Sequence, residues 1–218
     1  MASTYETGCV QNVANFETLI SYITAFGADY NPSKTSLKIP ELQKILSDAK
    51  VSLNAVNVAF SAHSNAIAAR ESAFEPLSKL VTRVNNALKA TDTTTQVDDS
   101  AKTIVRKIQG TRASAKLTEE QKQALAAEGK EVIQVSASQM GFNDRIENFD
   151  KLITLLSSIP NYAPNEEELK IESLTAYLND LKSKNAAVLP LEVQLSNARI
   201  LRNDIQDRPL TGLIDAAL

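Results

Sequence analysis

Stepping along the chain from Leu42 in alternating intervals of four and three residues meets Leu46, Ala49, Leu53, Val56, Phe60, His63, Ile67, Arg70, Phe74, Leu77, Val81, Val84 and Leu88. Every position is apolar except His63 and Arg70, and a seam of that period predicts one long helix packed along other helices, in the manner of a coiled coil. The helix is expected to begin between Ser33 and Glu41, where Pro40 is tolerated because a first-turn N–H has no partner to lose. Pro76 lies inside the seam and removes a ladder hydrogen bond, so a kink or break is expected between Ser72 and Pro76.

Upstream, Val13, Phe16, Leu19, Ile20, Ile23 and Phe26 form the core face of a first helix, opened by the capping box Ser3-Thr4-Tyr5-Glu6 and stopped by Gly27. Tyr30-Asn31-Pro32-Ser33 reads as a turn, because Pro fixes its own φ and holds Asn31 out of the helical region. Downstream, the hydroxyl-rich run Thr91 to Thr95 ends the long element. A shorter helix is expected from about Asp98 to Gln109, with acids at its start and Gly110 after its end. Thr118-Glu119-Glu120-Gln121 reads as another capping box, for a helix that Gly129 stops, and 131–135 as a short extended linker. A further helix is expected from about Ser138 to Ser158.

The pattern then repeats. Asn148-Phe149-Asp150-Lys151-Leu152-Ile153 matches Asn15-Phe16-Glu17-Thr18-Leu19-Ile20, and after a one-residue deletion Tyr162-Ala163-Pro164 matches Tyr30-Asn31-Pro32. Leu169-Lys170-Ile171 follows Leu37-Lys38-Ile39, Leu174 and Leu178 follow Leu42 and Leu46, Lys182 follows Lys50, Val188 follows Val56, and Arg202 falls opposite Arg70. Pro209-Leu210 matches Pro76-Leu77 with one residue gained. The expected organisation is therefore two tandem helical-hairpin repeats, 1–116 and 117–218, packed as one elongated antiparallel all-α bundle. The second repeat reads as shortened, since it ends soon after its late Pro.

Composition agrees with helix: 218 residues, 43% apolar and 22% charged, with six Gly, seven Pro and no Trp. A net charge of −3 selects neither nucleic acid nor a membrane surface as partner. Cys9 is the only cysteine, which fits a reducing compartment. With no basic-then-apolar leader and no run of the roughly 20 apolar residues a span needs, a cytoplasmic location is expected.

Candidate chemistry is sparse. His63 is the only histidine and the second repeat has Leu195 in its place, so a packing role is expected rather than a metal site or relay. Cys9 has no histidine near it in sequence to activate it. Arg70 and Arg202 occupy equivalent places on a largely apolar seam; each is read as a buried or snorkelling Arg that pairs with a carboxylate and sets helix register, with an interior anion site as the alternative. Glu166-Glu167-Glu168 after Asn165, and Asp98-Asp99, read as helix-start charge. Between Ser100 and Thr118 the basic residues Lys102, Arg106, Lys107, Arg112 and Lys116 occur without an acid. They form a candidate patch for an anionic partner, with Ile104, Val105 and Ile108 as its apolar side. No phosphate loop, CxxC pair, HExxH or Gly-x-Ser-x-Gly elbow is present.

No catalytic role, cofactor or metal is expected. The leading expectation is a non-enzymatic structural or protein-interaction bundle, able to self-associate through seam left uncovered when a long helix outruns its partner. The long Ala- and Asn-rich helices are also similar in style to bacterial helical-bundle proteins, including α-helical pore-forming toxin components, and that resemblance implies membrane action as the alternative.

Overall fold

The computed structural model describes residues 4–111, 127 and 140–217, with side chains described from residue 8. Among them all regular structure is helical: α1 (Thr4–Ala25), α2 (Ile39–Phe74), α3 (Leu77–Lys89), α4 (Thr95–Gln109), α5 (Phe142–Ser157), α6 (Ile171–Asp207) and α7 (Leu213–Ala217), with three single-turn 3-10 segments. The Ser3 cap, the capping box at 118–121, the Gly129 stop and the 131–135 linker fall outside the described residues.

Helix ends follow the local chemistry. Gly27, with φ of 57°, takes the left-handed turn after α1. Pro76 separates α2 from α3, as the missing N–H requires. Gly110, with φ of 67°, closes α4 in a Schellman arrangement: its N–H reaches Lys107 O and the Thr111 N–H reaches Arg106 O. Pro190, by contrast, sits inside α6, and the helix continues through it.

The matched turns share their hydrogen bonding. The Tyr30 hydroxyl donates to Leu37 O at 2.7 Å, and Tyr162 donates to Leu169 O at 2.9 Å. Each tyrosine spans a 3-10 turn, Thr35–Leu37 or Glu167–Leu169, that leads into a long helix starting at Ile39 or Ile171. Lys50 reaches Glu17 and Lys182 reaches Asp150, the same two positions in each stretch.

Two compact units result: residues 1–67 with 187–218, and residues 68–186. Unit 1 has a core of Val13, Phe16, Ile20, Ile23, Leu42, Ala49 and Leu213. Unit 2 has a larger one, in which α3, α4, α5 and the start of α6 bury Leu77, Val81, Val84, Leu88, Ala101, Val105, Ile108, Phe149, Leu152, Leu174 and Leu181. Each unit thus joins the first helix and turn of one matched stretch to the late part of the long helix of the other.

Matched positions also meet in both units. In unit 2 the Phe74 ring packs edge-on to Phe142, centroids 4.9 Å apart, and Arg145 donates to Phe74 O at 3.2 Å. In unit 1 the equivalents are Gln206, which donates to Cys9 O at 3.2 Å, and Asn12, which donates to Gln206 Oε1 at 3.5 Å.

Three expectations are corrected. Phe26 is 61% exposed rather than core, because it lies beyond the last residue of α1, and Leu19 is half-buried. The seam is buried at both ends but exposed or half-exposed from Phe60 to Arg70. Asn165 does not cap the second long helix, which starts later, at Ile171. Glu167 instead bonds Lys170 at 2.5 Å within the 3-10 turn, and Glu168 pairs with Arg83 at 2.5 Å.

Candidate interaction surface

A catalytic site needs groups of complementary acidity held within reach of one another. Cys9, half-buried on α1, lines a cleft of about 330 Å³ with Asn12, Asn203, Gln206 and Asp207, none of which is a strong base. His63 is half-buried on α2, within unit 1 as Cys9 is. A second cleft in unit 1, about 240 Å³, is lined by Ser36, Glu41, Lys44, Asp48 and Arg208 among others. Among the described residues no group of three His, Cys, Asp or Glu side chains could hold a metal ion, and no helix is long and apolar enough to cross a membrane.

Among the described residues, electrostatic perturbation falls on exposed ion pairs, two buried phenols and one partly buried arginine. A hydrogen bond from Lys151 holds the Glu147 carboxyl below its ordinary range, and the same cause acts on Asp204 through Arg208. Burial pushes the Tyr162 and Tyr177 phenols up to about 12. Burial lowers the Arg145 guanidinium, whose Nε, like that of Arg70, has no acceptor among the described residues.

The two seam arginines differ from each other. Arg70 is half-buried, with its guanidinium 4.0 Å from the Phe142 ring centre and Nη1 3.4 Å from the Asn185 side-chain oxygen, so a ring and an amide stand where a carboxylate was expected. Asn185 in turn bonds Asn143. Arg202 is half-buried and bonds the Asn203 side chain. Neither arginine forms an ion pair among the described residues.

The basic segment is only partly described. Lys102 and Arg106 are half-buried and Lys107 is exposed, all on α4, while Arg112 and Lys116 lie outside the described residues. Val105 and Ile108 are buried in the core of unit 2, so the apolar side of this helix is already occupied.

What stands out instead is apolar surface. Among the described residues, the large apolar side chains that are exposed include only Met140 from unit 2. Val10, Tyr22, Phe26, Val51, Val58, Phe60, Leu189, Val193, Ile200, Leu201 and Leu210 all belong to unit 1. On α6, Leu189, Val193 and Ile200 recur at intervals of four and seven, which places them on one side of the helix. Single exposed apolar residues are ordinary; their concentration in one unit is not. Of these residues the sequence reading placed only Phe26 and Phe60 on apolar helix sides, by period alone, which does not tell which sides are covered.

Comparison with protein-family models, with curated proteins and with solved structures finds no match.

Proposed function

We propose that this protein is a non-enzymatic helical bundle made of two related hairpins, which binds a protein partner or a second copy of itself through the exposed apolar side chains of unit 1. The observation that carries this reading is the asymmetry of exposure between the two units. Covering such side chains recovers roughly 25 cal/mol per Å² of apolar surface, the usual driving force of protein association. The tyrosine turns, the lysine bridges and the meeting of positions 74 and 142 as well as 206 and 9 support a duplicated origin for the hairpins. Membrane action is the less favoured reading, since the apolar side of the basic helix lies in a core.

Size-exclusion chromatography with light scattering across a wide concentration range tests the proposal. Association that weakens when Val193 and Ile200 are both replaced by Lys is the expected result. A monomer at every concentration that also captures no partner would sink it.

A further inference from the structure

Helices α1 and α5 match from Asn15 against Asn148 to the residues that follow them, Phe26 against Ile159. One stripe differs in burial. Asn148 and Leu152 are buried and Leu155 and Ile159 half-buried, whereas Asn15 is exposed, Leu19 half-buried, Tyr22 67% exposed and Phe26 61% exposed. The first three positions are spaced four and three apart on one side of the helix, and the fourth lies just past its end; at Phe26 the backbone is still helical (φ −69°, ψ −16°) and continues that side.

Unit 2 shows what such a helix packs against. There α4 packs along α5, and because Gly110 at the end of α4 abuts the Met140 side chain just before α5, the two run antiparallel. In unit 1 no described element occupies the corresponding place beside the second half of α1. Helix α7 is short and serves the first half: Leu213 joins the core with Val13 and Phe16, and Ile214 lines the cleft at Gly8, Cys9 and Asn12.

The neighbouring surface has changed in the same sense. On α5 an exposed ion pair joins Glu147 to Lys151; at the matched places α1 has Ala14 and Thr18, followed by Ser21 and Ala25, all exposed. From Gln11 to Phe26 the only charged residue is Glu17, and Lys50 is bonded to it. A solvated helix side is ordinarily charged, while small uncharged residues beside aromatic ones suit close approach of another helix.

We propose that the Leu19, Tyr22 and Phe26 side of α1 is the seat of one amphipathic helix supplied by a partner protein, with a stripe of small and β-branched residues like that of α4. The proposal rests on the interaction reading above and gives it a place and a kind of partner. The stripe of α4 that defines this chemistry is Ala101, Ile104, Val105 and Ile108. An uncharged seat takes such a helix by shape and apolar burial, so binding should depend little on salt.

The probe is a fluorescein-labelled synthetic peptide of residues 94–111, titrated into the full chain and followed by anisotropy. The expected result is saturable binding that Tyr22→Lys with Phe26→Lys weakens at least about ten-fold, roughly 1.4 kcal/mol. Asn54→Lys, at an exposed polar position of α2, should leave binding unchanged. Both Lys variants alter exposed side chains, and their helix content by circular dichroism should equal that of the wild type. No saturable binding, or equal binding by the Tyr22 and Phe26 double variant, overturns the site. Dimerisation of the unliganded chain that this double variant abolishes would seat a second copy there and overturn the foreign helix. Self-association that persists in the double variant, with no peptide binding, overturns this site while leaving the broader interaction reading in place.

Discussion

Replacing Tyr162 by Phe removes one oxygen and leaves the ring in place. The hydroxyl donates to Leu169 O at 2.9 Å, with Tyr162 7% and Leu169 3% exposed. Water cannot reach the carbonyl that loses its donor, so the cost is that of a buried unsatisfied acceptor, about 1–3 kcal/mol. Tyr30→Phe breaks the same bond in the matched turn, but Tyr30 and Leu37 are both half-buried. There water substitutes for the hydroxyl, and the loss falls to about 0.5–1 kcal/mol. Urea unfolding followed by circular dichroism gives the total effect, and amide exchange in α5 and in α1 assigns it to a unit. Equal losses, or a larger loss for Tyr30→Phe, would refute the argument that burial rather than the bond itself sets the cost.

The phenols add a pH dependence. Tyr162 and Tyr177 are pushed up to about 12 by burial, above the unfolded value near 10, so the folded state holds their protons more tightly. Their contribution to stability is complete below about pH 10 and disappears as pH rises through 12; phenolate absorbance should show two of the five tyrosines ionising last, and five alike would contradict this. Gly110→Ala forces an L side chain to a φ of 67° and sets its Cβ into the Met140 side chain, so a loss of roughly 1–2 kcal/mol is expected in thermal or urea unfolding. Lys50→Met and Lys182→Met remove bridges whose members are about half exposed, and each should change stability in urea unfolding by no more than about 1 kcal/mol despite recurring at matched positions.

Helix positions were legible in the sequence wherever a local cause acts. Gly27, Pro76 and Gly110 end helices through their own backbone geometry, and each lies where the chain reads as interrupted. Period alone was weaker. It assigned Phe26 and Phe60 to the core, although both are more than half exposed, because it marks one side of a helix without saying whether anything lies against it. Tyr22, between core positions Ile20 and Ile23, was not singled out for the same reason. The matched tyrosines were legible as a motif, but the carbonyls they serve, seven residues away, required the folded turn.

Arg70 shows where seam logic and local chemistry part. Position 70 was expected to hold a carboxylate partner, yet its guanidinium lies over the Phe142 ring and bonds the Asn185 amide, with Nε buried and without an acceptor among the described residues. An arginine so placed contributes through its stem and its stacking, while its desolvated N–H opposes folding. Arg70→Met keeps the length and apolar stem and removes the unsatisfied donor, so it should leave stability within about 0.5 kcal/mol or raise it. Arg70→Ala also removes the cover from Phe142 and should cost about 1–2 kcal/mol. If Met proves as damaging as Ala, the charge rather than the stem holds the position, through the Phe142 ring and the Asn185 oxygen. Arg202, whose matched neighbour is Cys9 rather than a phenylalanine, stacks on no ring among the described residues, and the same pair of substitutions should differ by less than about 0.5 kcal/mol.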